Sequence, residues 1–235
     1  MLEPYSDSPS SVGLPTTPTE SIAEISRIAL DNGVQLCVHA IGDRANREVL
    51  NIYERAFKSR PDLRDFRWRI EHAQHISAAD IPRFGQLGVI AAMQGIHATS
   101  DAPYVLARLG PKRAEEGAYV WQKLMKSGAI VANGTDVPVE RIDPMANFFA
   151  TITRKTKDGS VFYGDQKMSR AEALKSYTWN GAYAAKEETL KGSITVGKLA
   201  DITVLSKDIM TIPEDQIPST TAVYTIVGGK VAYSK

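Results

Sequence analysis

Apolar residues along the chain recur in two alternating rhythms. In "TESIAEISRIALDNG" (19–33), Ile22, Ile25, Ile28 and Ala29 fall on one face of a 3.6-residue helix, with Thr19 as N-cap and Gly33 as stop. The next run, "VQLCVHA" (34–40), is short, continuous and apolar, and reads as a buried strand. The cycle then repeats with helix "RANREVLNIYERAFKS", strand "FRWRIEHA", helix "SAADIPRFGQLG", strand "VIAAMQ", helical stretches between Tyr104 and Lys126, and strand "AIVANGTD". Apolar strands separated by helices predict an α/β protein with a parallel sheet covered by helices, either a (β/α) barrel or an open doubly wound sheet.

After the fourth strand come a helix near Pro144 to Lys155 and another near Arg170 to Ala185, and then the rhythm changes. "KGSITVGKLADITVLS" and "TAVYTIVGGKVAYSK" are β-branched, glycine-punctuated and free of intervening helices, which predicts an antiparallel appendage. The expected organisation is an α/β layer over residues 1–189 and a small β module over 190–235.

In such sheets the chemistry sits where strands end and the following loops begin. The four ends read His39 in "CVHAIGD", His72 in "IEHAQ", Gln94 with nearby His97 in "MQGIHATSD", and Asp136 in "NGTDVPVE". A single histidine at a strand end is more often a hydrogen-bonded structural residue than a ligand. Three such ends on neighbouring strands form a set, since imidazoles and a carboxylate can converge on one ion at ~2.0–2.1 Å for zinc. His75, three residues past His72, has left the strand by this reading, and its alternative role is a contact to the following helix. Glu71 precedes His72 and should point to the opposite face by the period of two, where Arg69 is its natural partner. Two small residues in "GTD" would let a ligand approach the backbone beside Asp136, whose alternative role is a turn or cap.

Composition narrows the partners. The 28 basic and 27 acidic residues nearly cancel and form no long block, which argues against nucleic acid and an anionic membrane surface and for a small-molecule substrate. A chain of 235 residues, 43% hydrophobic, can bury a full core. The single cysteine, Cys37, permits no intrachain disulfide, so a reducing compartment is expected, with cytoplasm the default. No stretch approaches the ~20 apolar residues of a membrane span, and the start lacks a signal-peptide pattern. That start, "MLEPYSDSPSSVGLP", reads like a loop interior, as though the chain were entered midway through a larger protein.

The ordered segments "VHAIGDRA", "RIEHAQ", "MQGIHATSD", "GTDVPVERIDP", "TWNGAYA" and "GSITVGKLADITVL" resemble the landmarks of the metal-dependent amidohydrolases, in the branch related to N-substituted formamide deformylases. The resemblance implies a partial (β/α)8 barrel of the TIM type, strands five to eight, followed by part of a C-terminal β-sandwich. It implies that His39 and His72 are the metal ligands of the fifth and sixth strands, Asp136 the catalytic aspartate of the eighth, and His97 and Asp101 substrate-facing loop residues. The cofactor implied is a divalent metal, zinc first. The activity implied for a complete enzyme is hydrolysis of an amide or formamide C–N bond, with Asp136 taking a proton from water and handing it to the leaving amine.

Two departures accompany the resemblance. Gly95 stands where related sequences often carry proline, and the first-strand His-x-His pair has no counterpart among histidines 39, 72, 75 and 97. The chain is therefore expected to be a fragment that is inactive alone and self-associates through unpaired strand edges. The rival readings are a non-catalytic half-barrel module without metal and a metal-dependent phosphoesterase, although no phosphate cradle of the GxGxxG or Walker type is present.

Overall fold

A computed structural model describes residues 1–235. The chain forms two compact units, one of residues 1–93 with 100–131, the other of residues 94–99 with 132–235.

The first unit holds helix α1 (Thr19–Asp31), strand β1 (Cys37–Ala40), helix α2 (Asp43–Ser59), strand β2 (Arg69–His72), helix α3 (Ile81–Leu87) and nearly all of strand β3 (Ile90–Gln94). Its remaining helices follow helix α4 (Gly95–Ser100): α5 (Ala102–Gly117) and α6 (Trp121–Lys126). Strand β4 (Val131–Gly134) completes a four-stranded sheet of order β1-β2-β3-β4. The pairs β1–β2 and β2–β3 are parallel, with Cys37 opposite Arg69, His39 opposite Glu71 and Arg69 opposite Ile90. Strands in sequential order joined by helices are the βαβ arrangement that the alternating rhythm predicts.

An aromatic cluster seals α2 against the sheet. Phe57 stacks on Phe66 at 4.1 Å between ring centroids, and Tyr53 meets Trp68 edge-to-face at 4.9 Å. Both polar handles are satisfied, the Tyr53 hydroxyl donating to the Arg69 carbonyl (2.9 Å) and the Trp68 indole to that of Val34 (3.2 Å). Beside them the nearly buried Asp80 carboxylate binds Arg47 at 2.7 Å and Arg83 at 3.0 Å, which ties α2 to the start of α3. The N-terminal loop is held down by Arg113, whose guanidinium donates to the Pro4 carbonyl (2.8 Å) and the Ser6 hydroxyl (3.1 Å).

Three sequence expectations change here. Thr19 is the first helical residue of α1 and Pro18 the cap, without a side-chain cap bond. The face that α1 buries is Ser26, Ala29 and Leu30, while Ile25 and Ile28 are 48% and 46% exposed. Helix α1 packs on α2, and the small Ser26 and Ala29 permit the close approach. Strand β1 is not buried: Cys37 and His39 are exposed and only Ala40 is covered, because β1 is an edge strand.

In the second unit, helices α7 (Pro144–Thr153), α8 (Arg170–Tyr177) and α9 (Trp179–Ala184) precede an antiparallel sheet of strands β5 (Ile202–Leu205), β6 (Ala222–Val227) and β7 (Lys230–Ser234), in that order. The helices start where local chemistry dictates. Asp143 caps α7 through the amides of Met145 (2.9 Å) and Ala146 (3.2 Å) with Pro144 in the first turn, and Ser169 and Glu172 form a capping box on α8. Gly228 and Gly229, with φ of 56° and 78°, supply the two left-handed positions of the tight β6–β7 turn. The antiparallel appendage is present as expected, although "KGSITVG" forms no strand; Ile194 and Val196 lie in an exposed loop. No helix of the chain is long and apolar enough to cross a membrane.

Candidate functional site

His39 projects from β1 and His72 ends β2. Their rings lie 4.5 Å apart, edge to face. Strand alternation alone does not produce this. The register sets His39 opposite Glu71, so those two share a face and His72 would belong to the other. His72, however, has φ of 76°, and Ala73 follows at 45°. A left-handed backbone at two successive non-glycine residues breaks the alternation and brings the imidazole to the His39 side. Strain of this kind is rare and collects at functional positions. Glu71 is held by Arg69, Nε to Oε1 2.8 Å, as the sequence suggests. Cys37, on the same face, has its thiol pKa raised chiefly by burial, with Arg69 acting in the opposite direction.

His97 lies in α4, only 5% exposed, and Asp136 in the loop after β4. A ring nitrogen of His97 and a carboxylate oxygen of Asp136 come within 4.8 Å of each other. Asp136 also has a left-handed backbone, φ 58°. Two donors bound to one zinc at ~2.0–2.1 Å each are separated by at most about 4.2 Å. A closure of well under 1 Å would therefore let one ion bridge this pair, and imidazole with carboxylate is a donor set suited to zinc and related divalent metals.

The turns carrying these two residues are fastened by two side-chain amides, of Asn147 and Asn133. Asn147, fully buried in α7, accepts the Ile96 N–H on Oδ1 (2.6 Å) and donates Nδ2 to the Gly134 carbonyl (2.6 Å) and to the Tyr177 hydroxyl. Asn133 accepts the Gly95 N–H (3.0 Å) and donates to Thr151 Oγ1 (3.0 Å). The Gly95 and Ile96 amides begin α4 and have no carbonyl within the helix to bond, so the two asparagines serve as its cap. Gly95 also has a steric role: a Cβ there would stand 2.0 Å from Thr151 Oγ1. A side chain at this position would therefore have to displace Thr151 and Asn147.

Asp101 and His75 sit together in the first unit. Asp101 accepts the Tyr119 hydroxyl at 2.5 Å, and the His75 ring meets Tyr119 edge-to-face at 5.7 Å. His75 Nδ1 is sealed from solvent without a hydrogen-bond partner. Burial lowers the His75 pKa to about 4, against the opposing pull of Asp101 and Asp43, so the ring is neutral near pH 7. His39, His75 and Asp101 are among the residues lining a cavity of about 1190 Å³, together with Tyr104, Val105 and Leu109.

Sequence reading singled out all five candidates, and the structure pairs His39 with His72 and His97 with Asp136. It missed Asn133, Asn147 and Tyr119. A faint signal existed for Asn147, a polar residue inside the apolar run "NFFATIT" of a helix. Nothing in the sequence connects Tyr119 with Asp101.

Residues 1–233 match the profile of the Amidohydrolase family. The chain is 35% identical over 232 residues to Protein LONG AFTER FAR-RED 3 of Arabidopsis thaliana, covering 98% of this chain and 40% of that protein. It is 26% identical over 204 residues to the N-substituted formamide deformylase of Arthrobacter pascens, covering 86% and 37% respectively. Among solved structures, an uncharacterized metal-dependent hydrolase from Pyrococcus horikoshii superposes with a TM-score of 0.80 at 29% identity, over 91% of this chain and 42% of that one. The chain thus spans about two-fifths of the length of the relatives it matches.

Proposed function

The chain belongs to the amidohydrolase family, and from that premise we propose that it supplies the metal-binding and proton-transfer residues of a hydrolase acting on an amide or formamide C–N bond. By this reading β1 to β4 are strands five to eight of a (β/α)8 barrel, residues 1–189 its barrel part and 190–235 a portion of a β-sandwich.

His97 and Asp136 offer a donor pair for one divalent ion, zinc first, and the family resemblance assigns His72 and His39, whose rings lie 4.5 Å apart, as metal ligands. The observation that carries this is the approach of a His97 ring nitrogen to within 4.8 Å of an Asp136 carboxylate oxygen, with Asp136 held in a left-handed backbone. The bound ion would polarise the substrate carbonyl and acidify a water molecule. Asp136 accepts the proton from that water on a carboxylate oxygen and passes it to the nitrogen of the departing amine, so that one carboxylate serves as base and then as acid. Asp101, fixed in orientation by Tyr119, takes a hydrogen-bond donor of the substrate. The match to a formamide deformylase supports formamides as the first substrates to assay.

The test is metal content by plasma mass spectrometry after dialysis against zinc, on the wild type and on His72→Ala and Asp136→Asn, together with hydrolysis of N-substituted formamides. One ion per chain in the wild type and loss of it in His72→Ala supports the reading. No bound metal at saturating zinc would overturn it in favour of a non-catalytic module.

A further inference from the structure

We propose that Asn147, assisted by Asn133, is a positioning residue that sets the separation between His97 and Asp136. This inference rests on the ligand set proposed above and adds to it a residue that touches neither ion nor substrate.

The geometry is specific. The Asn147 amide has one acceptor and two donor hydrogens. The acceptor holds the Ile96 amide, one residue before His97, and a donor holds the Gly134 carbonyl, two residues before Asp136. One planar group therefore spans the turn that starts α4 and the turn that ends β4. Asn133 doubles the tie from β4 itself, its Oδ1 accepting from both the Gly95 amide (3.0 Å) and Asn147 Nδ2 (3.3 Å). Thr151 closes the ring of contacts, accepting from Asn133 and donating to the Asn147 carbonyl at 2.8 Å. Asn147 and Thr151 are fully buried, so water cannot replace a lost partner and the geometry is held stiffly.

A group that only stabilised the helix would use its capacity within α7. Asn147 instead spends its acceptor and a donor on the two segments that carry candidate ligands. Thr153 offers the contrast: equally buried in the same helix, its hydroxyl bonds only locally, to the Phe149 carbonyl (2.7 Å) and the Lys155 amide (3.2 Å). Groups that orient ligands commonly change metal affinity by ~10–100-fold when removed.

The experiment compares the full chain with Asn147→Leu, Asn147→Asp and Thr153→Val. Co²⁺ is titrated by its visible absorption, and amide hydrogen exchange is followed over residues 94–99 and 134–138. Asn147→Asp keeps an acceptor for Ile96 but turns an oxygen toward the Gly134 carbonyl, so it serves if the leucine variant does not fold. The expected result is Co²⁺ binding at least ~10-fold weaker with an altered spectrum in the Asn147 variants, and faster exchange in both segments. Thr153→Val, at a comparable loss of thermal stability, should keep affinity, spectrum and exchange. Asn147 variants that lose stability but retain all three would overturn the proposal. If the wild type itself binds no Co²⁺, the ligand-set reading fails, and the exchange arm alone then decides whether Asn147 fastens the two segments.

Discussion

The two pairs of candidate ligands are held by opposite means. His39 and His72 stand on short strands near an open sheet edge, where β1 is largely exposed, and their approach depends on a strained backbone at His72 and Ala73. His97 stands in the short helix α4 and Asp136 in the loop after β4, and the turns carrying them are fastened by the buried Asn147 and Thr151, the half-buried Asn133 and a glycine whose place is tight for a Cβ. Regular structure is usually the rigid platform and loops the mobile part. Here the precision lies in the turns at the start of α4 and the end of β4, because a satisfied polar network fixes backbone more firmly than a four-residue strand at an edge does.

The largest expected effect tests the loop pair. If Asp136 is the proton acceptor proposed above, Asp136→Asn, which keeps its shape, should lower kcat by ~10²–10⁴-fold with little change in KM. Steady-state kinetics on a formamide substrate measures it, and a KM-only change would reassign Asp136 to binding.

Next is a contrast within the strand end. His72→Ala should lose bound zinc, whereas His75→Ala should retain it, because His75 lies three residues on, near Tyr119 and Asp101. Equal losses in metal content would merge the two roles.

A third comparison sets two glycines against each other. Gly95→Ala forces a Cβ to within 2.0 Å of Thr151 Oγ1 and should cost ~1–3 kcal/mol as overpacking. Gly134→Ala meets nothing within 4 Å and should stay within about 0.5 kcal/mol of wild type. Urea denaturation of both variants reads the difference directly, and equal costs would show the loop to be more yielding than its contacts imply.

A smaller effect follows from His75. Its pKa is about 4 in the fold against 6.5 for an ordinary histidine, so between those values the unfolded chain binds a proton that the native one does not. Stability should be full above pH 6.5 and fall as pH drops toward about 4. The slope should not exceed the ~1.4 kcal/mol per pH unit that one proton contributes. His75→Gln should flatten this part of the pH–stability curve.

The smallest expected effect concerns the edge. The exposed outer side of β1 should recruit a second chain weakly, and Cys37→Lys should reduce that association in light scattering at matched concentrations. A wild type that remains monomeric at all concentrations would remove the edge from consideration.

The sequence by itself determined the alternation of strands and helices, the antiparallel tail and the family, because hydrophobic periodicity and cap residues are local properties of the chain. It also singled out His39, His72, His97 and Asp136 as candidates, because strand ends are visible as places where an apolar run meets polar residues. Only the tertiary structure decided which face of α1 is covered, since burial depends on the neighbour a helix meets; the exposed Ile25 and Ile28 obey the helical period and still lack a partner. Only the structure showed that His72 turns toward His39, because the left-handed backbone that achieves this overrides strand alternation and carries no glycine to announce it. The asparagine network was hidden for the same reason. Asn133 and Asn147 lie fourteen residues apart on different elements, and what joins them is the packing of α7 beside β4, a long-range fact that no local pattern encodes.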